Sequence, residues 1–221
     1  SSRSDAPPSL ASQASDEHHG CVPSLTGDVT SMDTSGLLWA LCFDGHGRAR
    51  RLSWSQVQAW KPEDGLLWLH MDRSREVVQA WIREHVSERV GLHPGIDDAL
   101  LAEETRPRCE LLGGKLVLVL RGVNLNAGAE PEDMVSLRLF LDGGRIISLR
   151  YDRVISPQEV RRELEESRGP IDSGSFLVRL LTINLDRIGT LVEELADCLY
   201  DLEDAVLAGK ERDLRRRLAA L

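Results

Sequence analysis

The feature that most restricts the fold is a helical pattern that runs without interruption over residues 176–207. This range contains no proline, and Gly189 is its one glycine. A helix of about 30 residues is much longer than the usual helix of a globular protein. Its apolar residues follow at alternating steps of four and three, the spacing of a heptad repeat; these residues, the heptad seam, are Leu181, Leu185, Ile188, Val192, Leu195, Leu199, Leu202 and Val206. Because so long an apolar stripe must be covered, the pattern predicts an arm that packs on another helix or subunit.

The other side of this helix is strongly acidic. Its far half carries the residues that we call the acidic face, which are Glu193, Glu194, Asp197, Asp201, Glu203 and Asp204. The simplest interpretation is the solvated side of a two-helix arm, since the basic segment 211–221 predicts a second helix. The functional alternative is that these carboxylates raise the local concentration of divalent cations. Such attraction would be diffuse, because salt screens charges over about 8 Å at physiological ionic strength.

Upstream of the arm, strand and helix patterns alternate, which predicts an α/β domain. Strands are expected at 37–43, 48–52 and 65–72 and in two hairpins over 108–125 and 133–151, whose Gly-Gly turns need positive φ. Helices are expected at 74–90, with Ser74 as its cap, at 95–104 and at 157–167. The five tryptophans all precede residue 82 and are expected as core anchors. The fold class is therefore α/β, a mixed layered sheet of about six or seven strands flanked by helices and followed by a long helical hairpin arm.

Composition divides the chain into three parts. Residues 1–35 are rich in Ser, Asp, Pro and Gly, which predicts a polar arm or tail. Residues 36–170 form the α/β domain, and residues 171–221 form the long helical arm and the start of a second helix. The longest apolar run, residues 116–120, is far shorter than the ~20 residues of a spanning helix, so we expect the chain as given to be soluble.

Charge and cysteine spacing exclude several classes of function. The chain has 27 basic and 36 acidic residues, a formal charge of -9, which repels phosphate backbones and argues against a nucleic-acid partner. Its four cysteines are scattered and form no CxxC pair, so neither a zinc ribbon nor a disulfide framework is indicated. An enzyme would have to rely on His70, Asp72 and His85, without a nucleophile elbow, an HExxH motif or a phosphate loop. We therefore expect no enzymatic activity.

Three segments carry a resemblance to a known family. They are "GLHPGIDDALLAEETRPRCELLGGKLVLVLRGVNL" at 91–125, "VSLRLFLDGGRIISLR" at 135–150 and "LTINLDRIGTLVEELADCLYDLEDAVL" at 181–207. In this order they resemble the cytoplasmic domain of the CorA family of divalent metal ion transporters, most closely its zinc-transporting branch. The resemblance spans residues 36–221.

The resemblance implies a function and an assembly. It implies a homopentamer whose α/β domains form a funnel on the cytoplasmic side of the cell inner membrane, serving assembly and the sensing or collection of cations. The membrane pore and its Gly-Met-Asn signature are expected outside this chain, which we interpret as ending inside the second helix of the arm. The alternatives are a magnesium or cobalt transporter of the same superfamily, or a soluble helical-arm interaction protein.

Candidate metal ligands follow from the same resemblance and from residue chemistry. In the magnesium branch an acidic residue in the helix after His93-Pro94 binds a regulatory cation, and here that position is Ala99. Asp97 and Asp98 lie within a turn of it and are the first candidate ligands, with His93 next. Their alternative role is an ordinary helix start, where proline and carboxylates are favoured. Zn²⁺ is the expected ion, Mg²⁺ the alternative, and no organic cofactor is indicated.

Other residue groups are weaker candidates. The segment 16–21 gathers Asp16, Glu17, His18, His19 and Cys21, which are zinc ligands by type but also an ordinary polar tail. Glu103, Glu104 and Cys109 flank a turn without ligand spacing. The strand arginines are expected to share one side of their strands or to lie between layers, with ion pairs as the simplest role; they are Arg121, Arg138 and Arg150.

Overall fold

The computed structural model describes residues 36–88, 96–103, 106–129 and 133–207. Within these residues the strands form one sheet of seven strands in the order β2-β1-β3-β7-β6-β5-β4. The strands are β1 Leu37–Phe43, β2 Ala49–Arg51, β3 Leu67–Asp72, β4 Arg108–Leu112, β5 Lys115–Gly122, β6 Val135–Leu141 and β7 Arg145–Arg150. Neighbouring strands are antiparallel except β3 and β7, which are parallel. The predicted mixed sheet of six or seven strands is confirmed.

Five α-helices accompany the sheet in the described part of the chain. They are α1 Trp54–Ala59, α2 Glu76–Ile82, α3 Ile96–Leu101, α4 Ile155–Glu165 and α5 Ser173–Leu207. A π-helical turn, Arg83–Glu88, continues α2. The arm helix α5 is one element of 35 residues, as the heptad pattern predicts. The predicted second arm helix and the tail 1–35 lie outside the described residues.

Two helix starts differ from the sequence predictions. Helix α1 is not predicted, yet Ser53 caps it in a capping box in which the Ser53 amide donates to Gln56 Oε1 at 2.8 Å. The prediction that Ser74 caps α2 is wrong, since the N-cap residue is Arg75 and it makes no side-chain cap bond. Ser74 Oγ donates instead to Asp72 Oδ1 at 2.6 Å. The Ser74 amide donates to the same Asp72 oxygen at 2.9 Å, so Ser74 belongs to a turn before the helix and not to its cap.

The sheet is buried on both faces. Helices α1 to α3 cover one face, where β5 contributes Val117 and Val119, and α4 with the first turns of α5 covers the other face, where β5 contributes Leu118. This two-sided burial explains why β5 is apolar at every position from Leu116 to Leu120 rather than at alternate ones. The predicted tight turns are confirmed at Gly113 with φ 56°, Gly114 with φ 81° and Gly143 with φ 81°.

Aromatic side chains join the arm to the sheet. Trp68 of β3 is fully buried and lies edge-on to Phe176 of α5, with ring centroids 4.8 Å apart. Trp39 of β1 packs edge-on against Trp68 at 5.4 Å. The predicted anchor role is confirmed for Trp39 and Trp68, while Trp54, Trp60 and Trp81 are only partly buried against the opposite core. The N-terminal part of α5 therefore belongs to the hydrophobic core.

Candidate functional site

The arm helix leaves the sheet at Asn184. Up to this point α5 is held by Phe176, Leu180 and Ile183, which are buried. Asn184 Nδ2 then donates to the carbonyl of Arg121 at the end of β5, at 2.8 Å. The close approach depends on Gly122, because a Cβ there would lie 2.6 Å from Asn184 Oδ1. This hydrogen bond ties the arm to the end of β5, and no sequence pattern indicated it.

Two ion pairs fasten α5 to α4. Arg179 of α5 approaches both carboxylate oxygens of Glu163, with Nε at 3.0 and 2.9 Å and Nη2 at 2.5 Å. The Glu163 side chain is only 5% exposed. The hydrogen bonds from Arg179 lower the pKa of Glu163 and keep it ionised, although burial acts in the opposite direction. Two helical turns further on, Arg187 Nη2 lies 3.2 Å from Glu159 Oε1. The two pairs fix the direction in which the arm projects.

A groove opens where α5 departs from the domain. Its volume is about 460 Å³, and Val123 and Leu125 after β5 face Ile183 and Leu191 of α5 across it. The charged residues at its rim include Glu159 and Arg187, which pair with each other. The groove is thus the wedge between the arm helix and the end of the sheet, and its rim carries mixed charge.

The heptad seam is largely exposed beyond Asn184. Leu185, Val192, Leu195, Leu199 and Val206 are each at least half exposed. Leu202 is buried, and Leu181 packs on the sheet core. So much exposed apolar surface on one helix is a feature of an interaction surface. The exposed stripe that the heptad pattern predicts is present.

The acidic face lies on the far half of the same helix, and its six residues are all exposed. At about 100° per residue, Glu193, Asp197 and Asp204 lie opposite the seam, whereas Glu203 borders it. Within the described residues, no three His, Cys, Asp or Glu side chains gather closely enough to hold a metal ion. The acidic face is therefore a negative surface distributed along the helix.

The predicted metal ligands lie on or beside α3. Asp97 and Asp98 belong to this helix, but their side chains, the whole of His93, and the segment 16–21 lie outside the described residues. Ala99 is 1% exposed and packs in the core beside Ile96 and Leu100. The position at which the resemblance places a cation-binding carboxylate is thus closed to solvent here.

Two arginines hold the end of α3. Arg138, in the middle of β6, is fully buried, and its Nη1 donates to the Leu100 carbonyl at 2.8 Å. Arg138 Nη2 and Arg73 Nη2 both donate to the Glu103 carbonyl at 3.4 Å. Burial, followed by the charges of Arg73 and Arg121, lowers the pKa of Arg138 to about 10. A guanidinium in these surroundings remains protonated at neutral pH, so α3 ends on a buried positive charge.

The strand arginines differ in the face of the sheet to which they point. Arg138 is paired across the sheet with Leu149, and Leu137 with Arg150, so Arg138 and Arg150 point to opposite faces. A common side is therefore wrong for this pair, whereas the alternative position between layers is confirmed for Arg138, which is fully buried. The acceptors of Arg138 are main-chain carbonyls rather than carboxylates. The one indication in the sequence was an arginine inside an otherwise apolar strand.

The residues of the enzyme alternative are not arranged for catalysis. His70 is 1% exposed, stacks on Trp39 at 4.1 Å, and its Nδ1 lies 2.7 Å from Ser148 Oγ. Burial, with the charges of Arg150 and Arg161, lowers the pKa of His70 well below its usual value, so it is neutral. Asp72 is used in the turn to Ser74. His85 lies on another helix, stacked on Trp81. These three residues support structure.

The described helices do not meet the demands of a lipid bilayer. In the part of the chain that the structure describes, none of them is at once long enough and apolar enough to cross a membrane.

Comparison with known proteins gives the same assignment. A family model described as CorA-like Mg2+ transporter protein matches residues 63–221. The divalent cation transporter CmaX of Pseudomonas aeruginosa is 41% identical over 202 residues, which is 86% of this chain and 59% of that protein. The zinc transport protein ZntB of Pectobacterium carotovorum is 33% identical over 178 residues, covering 80% of this chain and 52% of that protein. The chain thus spans little more than half the length of these relatives.

Solved structures share the fold. The full-length CmaX protein aligns with a TM-score of 0.71 at 39% identity, covering 85% of this chain and 59% of that one. The cytoplasmic domain of ZntB from Vibrio parahaemolyticus aligns with a TM-score of 0.64 at 26% identity, covering 76% of this chain and 65% of that one. The mixed sheet followed by a long helix is thus the fold that this chain shares with the CmaX protein and the ZntB cytoplasmic domain. The chain belongs to the CorA family, which is a family of ion transporters and not of enzymes.

Proposed function

We propose that this chain is the cytoplasmic domain of a zinc ion transporter of the CorA family, in a protein whose pore lies in the inner membrane. The domain serves oligomeric assembly and the sensing or collection of cations. The observation that carries the proposal is the arm: a single helix of 35 residues that displays an apolar seam and an acidic face, fastened to α4 by two ion pairs and to the end of β5 by Asn184. The zinc assignment is supported by the similarity to ZntB proteins.

Assembly into a homo-oligomer, a pentamer by family resemblance, is proposed to use the heptad seam. Most seam residues beyond Asn184 are at least half exposed, and packing against another helix would remove their apolar surface from water. Analytical ultracentrifugation at micromolar concentration tests this part. A strict monomer at all concentrations would contradict a self-assembling domain.

Cation handling is proposed to have two components. The acidic face attracts divalent cations without coordinating them, and Asp97, Asp98 and His93 supply ligands on and before α3. Collection by the acidic face depends on net charge and is weakened by salt. Ligation by side chains depends on the chemistry of each donor: imidazole and carboxylate together suit zinc, whereas oxygen donors alone suit magnesium.

Isothermal titration calorimetry with Zn²⁺ and with Mg²⁺ on the chain tests these components. The variant Asp97→Asn with Asp98→Asn should abolish saturable binding, while neutralising Glu193, Glu194 and Asp197 should remove only a weak component that disappears in about 0.5 M salt. Glu165→Gln is a matched surface control. Absence of saturable binding in the parent chain would refute the ligand assignment.

A magnesium or cobalt transporter is the second candidate. The observation in its favour is that the family model that matches residues 63–221 is described as a CorA-like Mg2+ transporter protein. Tighter binding of Mg²⁺ than of Zn²⁺ in the same titrations would favour it. A helical-arm interaction protein without transport would show neither and would retain self-association.

A further inference from the structure

Helix α3 is too short to hold its own position. It comprises only six residues, Ile96–Leu101, and short helices are marginal in water without tertiary contacts. Its core-facing residues Ile96, Ala99 and Leu100 are buried, which fixes one side of the helix but does not fix its position along the sheet. The contacts at its C-terminal end provide that second constraint.

Two guanidinium groups from different elements bind carbonyls at the C-terminal end of α3 and two residues beyond it. Arg138 reaches Leu100 from the centre of β6, and Arg73 reaches Glu103 from the end of β3. Arg73 is itself held, because its amide donates to the Arg150 carbonyl at 2.8 Å and its guanidinium lies 5.2 Å from the ring centre of Tyr151. Donors to the last carbonyls of a helix satisfy groups that have no partner within the helix. Both arginines therefore act on α3 through hydrogen bonds that only its present position allows.

The environment of Arg138 makes these hydrogen bonds costly to lose. Its side chain is fully buried, and its Nε has no hydrogen-bond partner among the described residues. Arg73 and Arg121 add like charge nearby. A buried charge that loses its acceptors is strongly unfavourable, so any shift of α3 that separates Leu100 from Arg138 is opposed. The hydrogen bonds of Arg138 thus oppose displacement of the helix relative to β6.

We propose that Arg138, assisted by Arg73, is the positioning residue that fixes α3 on the sheet and thereby holds Asp97 and Asp98 in place for a divalent cation. The positioning of α3 stands on the contacts above, whereas the link to a cation rests on the proposed function. Arg138 then couples α3 to β6. A displacement of α3 on cation binding would reach β6 directly, because the hydrogen bonds of Arg138 join the two elements.

A buried reporter thiol tests the positioning. In an Ala99→Cys background, the alkylation rate of the introduced thiol, read by mass spectrometry of the peptide, measures how often α3 separates from the sheet. Arg138→Met should raise that rate about tenfold or more. Arg138→Lys, which keeps one charged donor toward Leu100, should restore most of the protection, and Arg73→Met should give a smaller increase. Cys42 lies buried in the same core and serves as an internal control.

The outcomes separate positioning from general stability. If the introduced thiol becomes reactive while Cys42 stays protected, and if Arg121→Met leaves both unchanged, Arg138 positions α3. An unchanged alkylation rate of the introduced thiol overturns the proposal, and so does an equal rise at Cys42, since that would mean that the whole core opens. If Arg138→Met does not fold, Arg138→Lys and Arg73→Met decide by the same criteria.

Cation titration then tests the functional link. Arg138→Met should weaken Zn²⁺ binding about tenfold with recovery in Arg138→Lys. Unchanged affinity in a variant whose introduced thiol has become reactive overturns the coupling to the cation. If the parent chain binds neither Zn²⁺ nor Mg²⁺, the ligand assignment of the proposed function fails, and the thiol assay still judges the positioning of α3.

Discussion

The buried imidazole of His70 should make the stability of this domain fall in mild acid. His70 is enclosed by Trp39, Trp68 and Ser148, and Arg150 and Arg161 oppose a positive charge there. Its pKa in the folded chain therefore lies well below the usual value of about 6.5, while in the unfolded chain it returns to that value. Below pH 6.5 the imidazole of His70 is therefore protonated in the unfolded state but not in the folded state. Unfolding then becomes more favourable as the pH falls.

The size of the effect follows from this linkage. While the folded-state pKa stays below the pH, the loss is about 1.4 kcal/mol at pH 5.5 and about 2 kcal/mol at pH 5.0, relative to pH 8. The contribution of neutral His70 to the free energy of unfolding is therefore present in full above about pH 6.5. It is lost progressively as the pH falls toward the folded-state pKa. For a domain of typical stability, ~5–15 kcal/mol, this is a measurable fraction.

Urea denaturation at pH 7.5, 6.5, 5.5 and 5.0 measures the effect, with His70→Phe as the matched variant. Phenylalanine keeps the stack on Trp39 and removes the titration, and Ser148 Oγ retains the Leu69 carbonyl as its acceptor at 3.2 Å. Carboxylates that titrate in acid contribute equally to both proteins, so the difference between them isolates His70. A difference that stays constant over this pH range would refute the reasoning.

Three further predictions concern the arm. Glu163→Gln should lower the free energy of unfolding by about 1–3 kcal/mol, a range reduced because solvent screens the exposed Arg179 of the pair. In the same urea assay, Glu166→Gln should change it by less than about 0.5 kcal/mol. Gly122→Ala should cost about 1 kcal/mol or more by displacing Asn184, whereas Gly189→Ala, with open space around it, should stabilise the helix by up to about 1 kcal/mol in thermal melts. Leu199→Ser should shift sedimentation toward smaller species, and an unchanged profile would exclude the seam as the assembly surface.

Much of the fold could be predicted because its determinants are local. The heptad spacing from Leu181 to Val206 is compatible with one regular structure, a long helix, and α5 is that helix. The Gly113-Gly114 turn requires backbone angles that few other residues adopt, so the hairpin around it was also evident. The short α1 escaped prediction because its single buried residue, Val57, leaves almost no periodic pattern.

The contacts that position the site could not be predicted, because they join distant residues. The bond from Asn184 to the Arg121 carbonyl depends on Gly122 lying opposite α5, and no spacing along the chain reveals this. Arg138 was noticed as an arginine in an apolar strand, but its acceptors are carbonyls at the end of α3, and carbonyls carry no sequence signature. The metal candidates Asp97, Asp98 and His93 remain predictions.

The single parallel pairing in the sheet has a consequence for how the chain is made. Leu67 of β3 lies opposite Arg145 of β7, roughly 80 residues later, and this pair stands at the centre of the sheet. During synthesis β1, β2 and β3 emerge first, yet the inner edge of β3 stays without a neighbour until β7 has left the ribosome. At about 5–20 residues per second that interval lasts several seconds. Throughout this interval the unpaired edge of β3 is the place where the nascent chain is most exposed to wrong strand pairing.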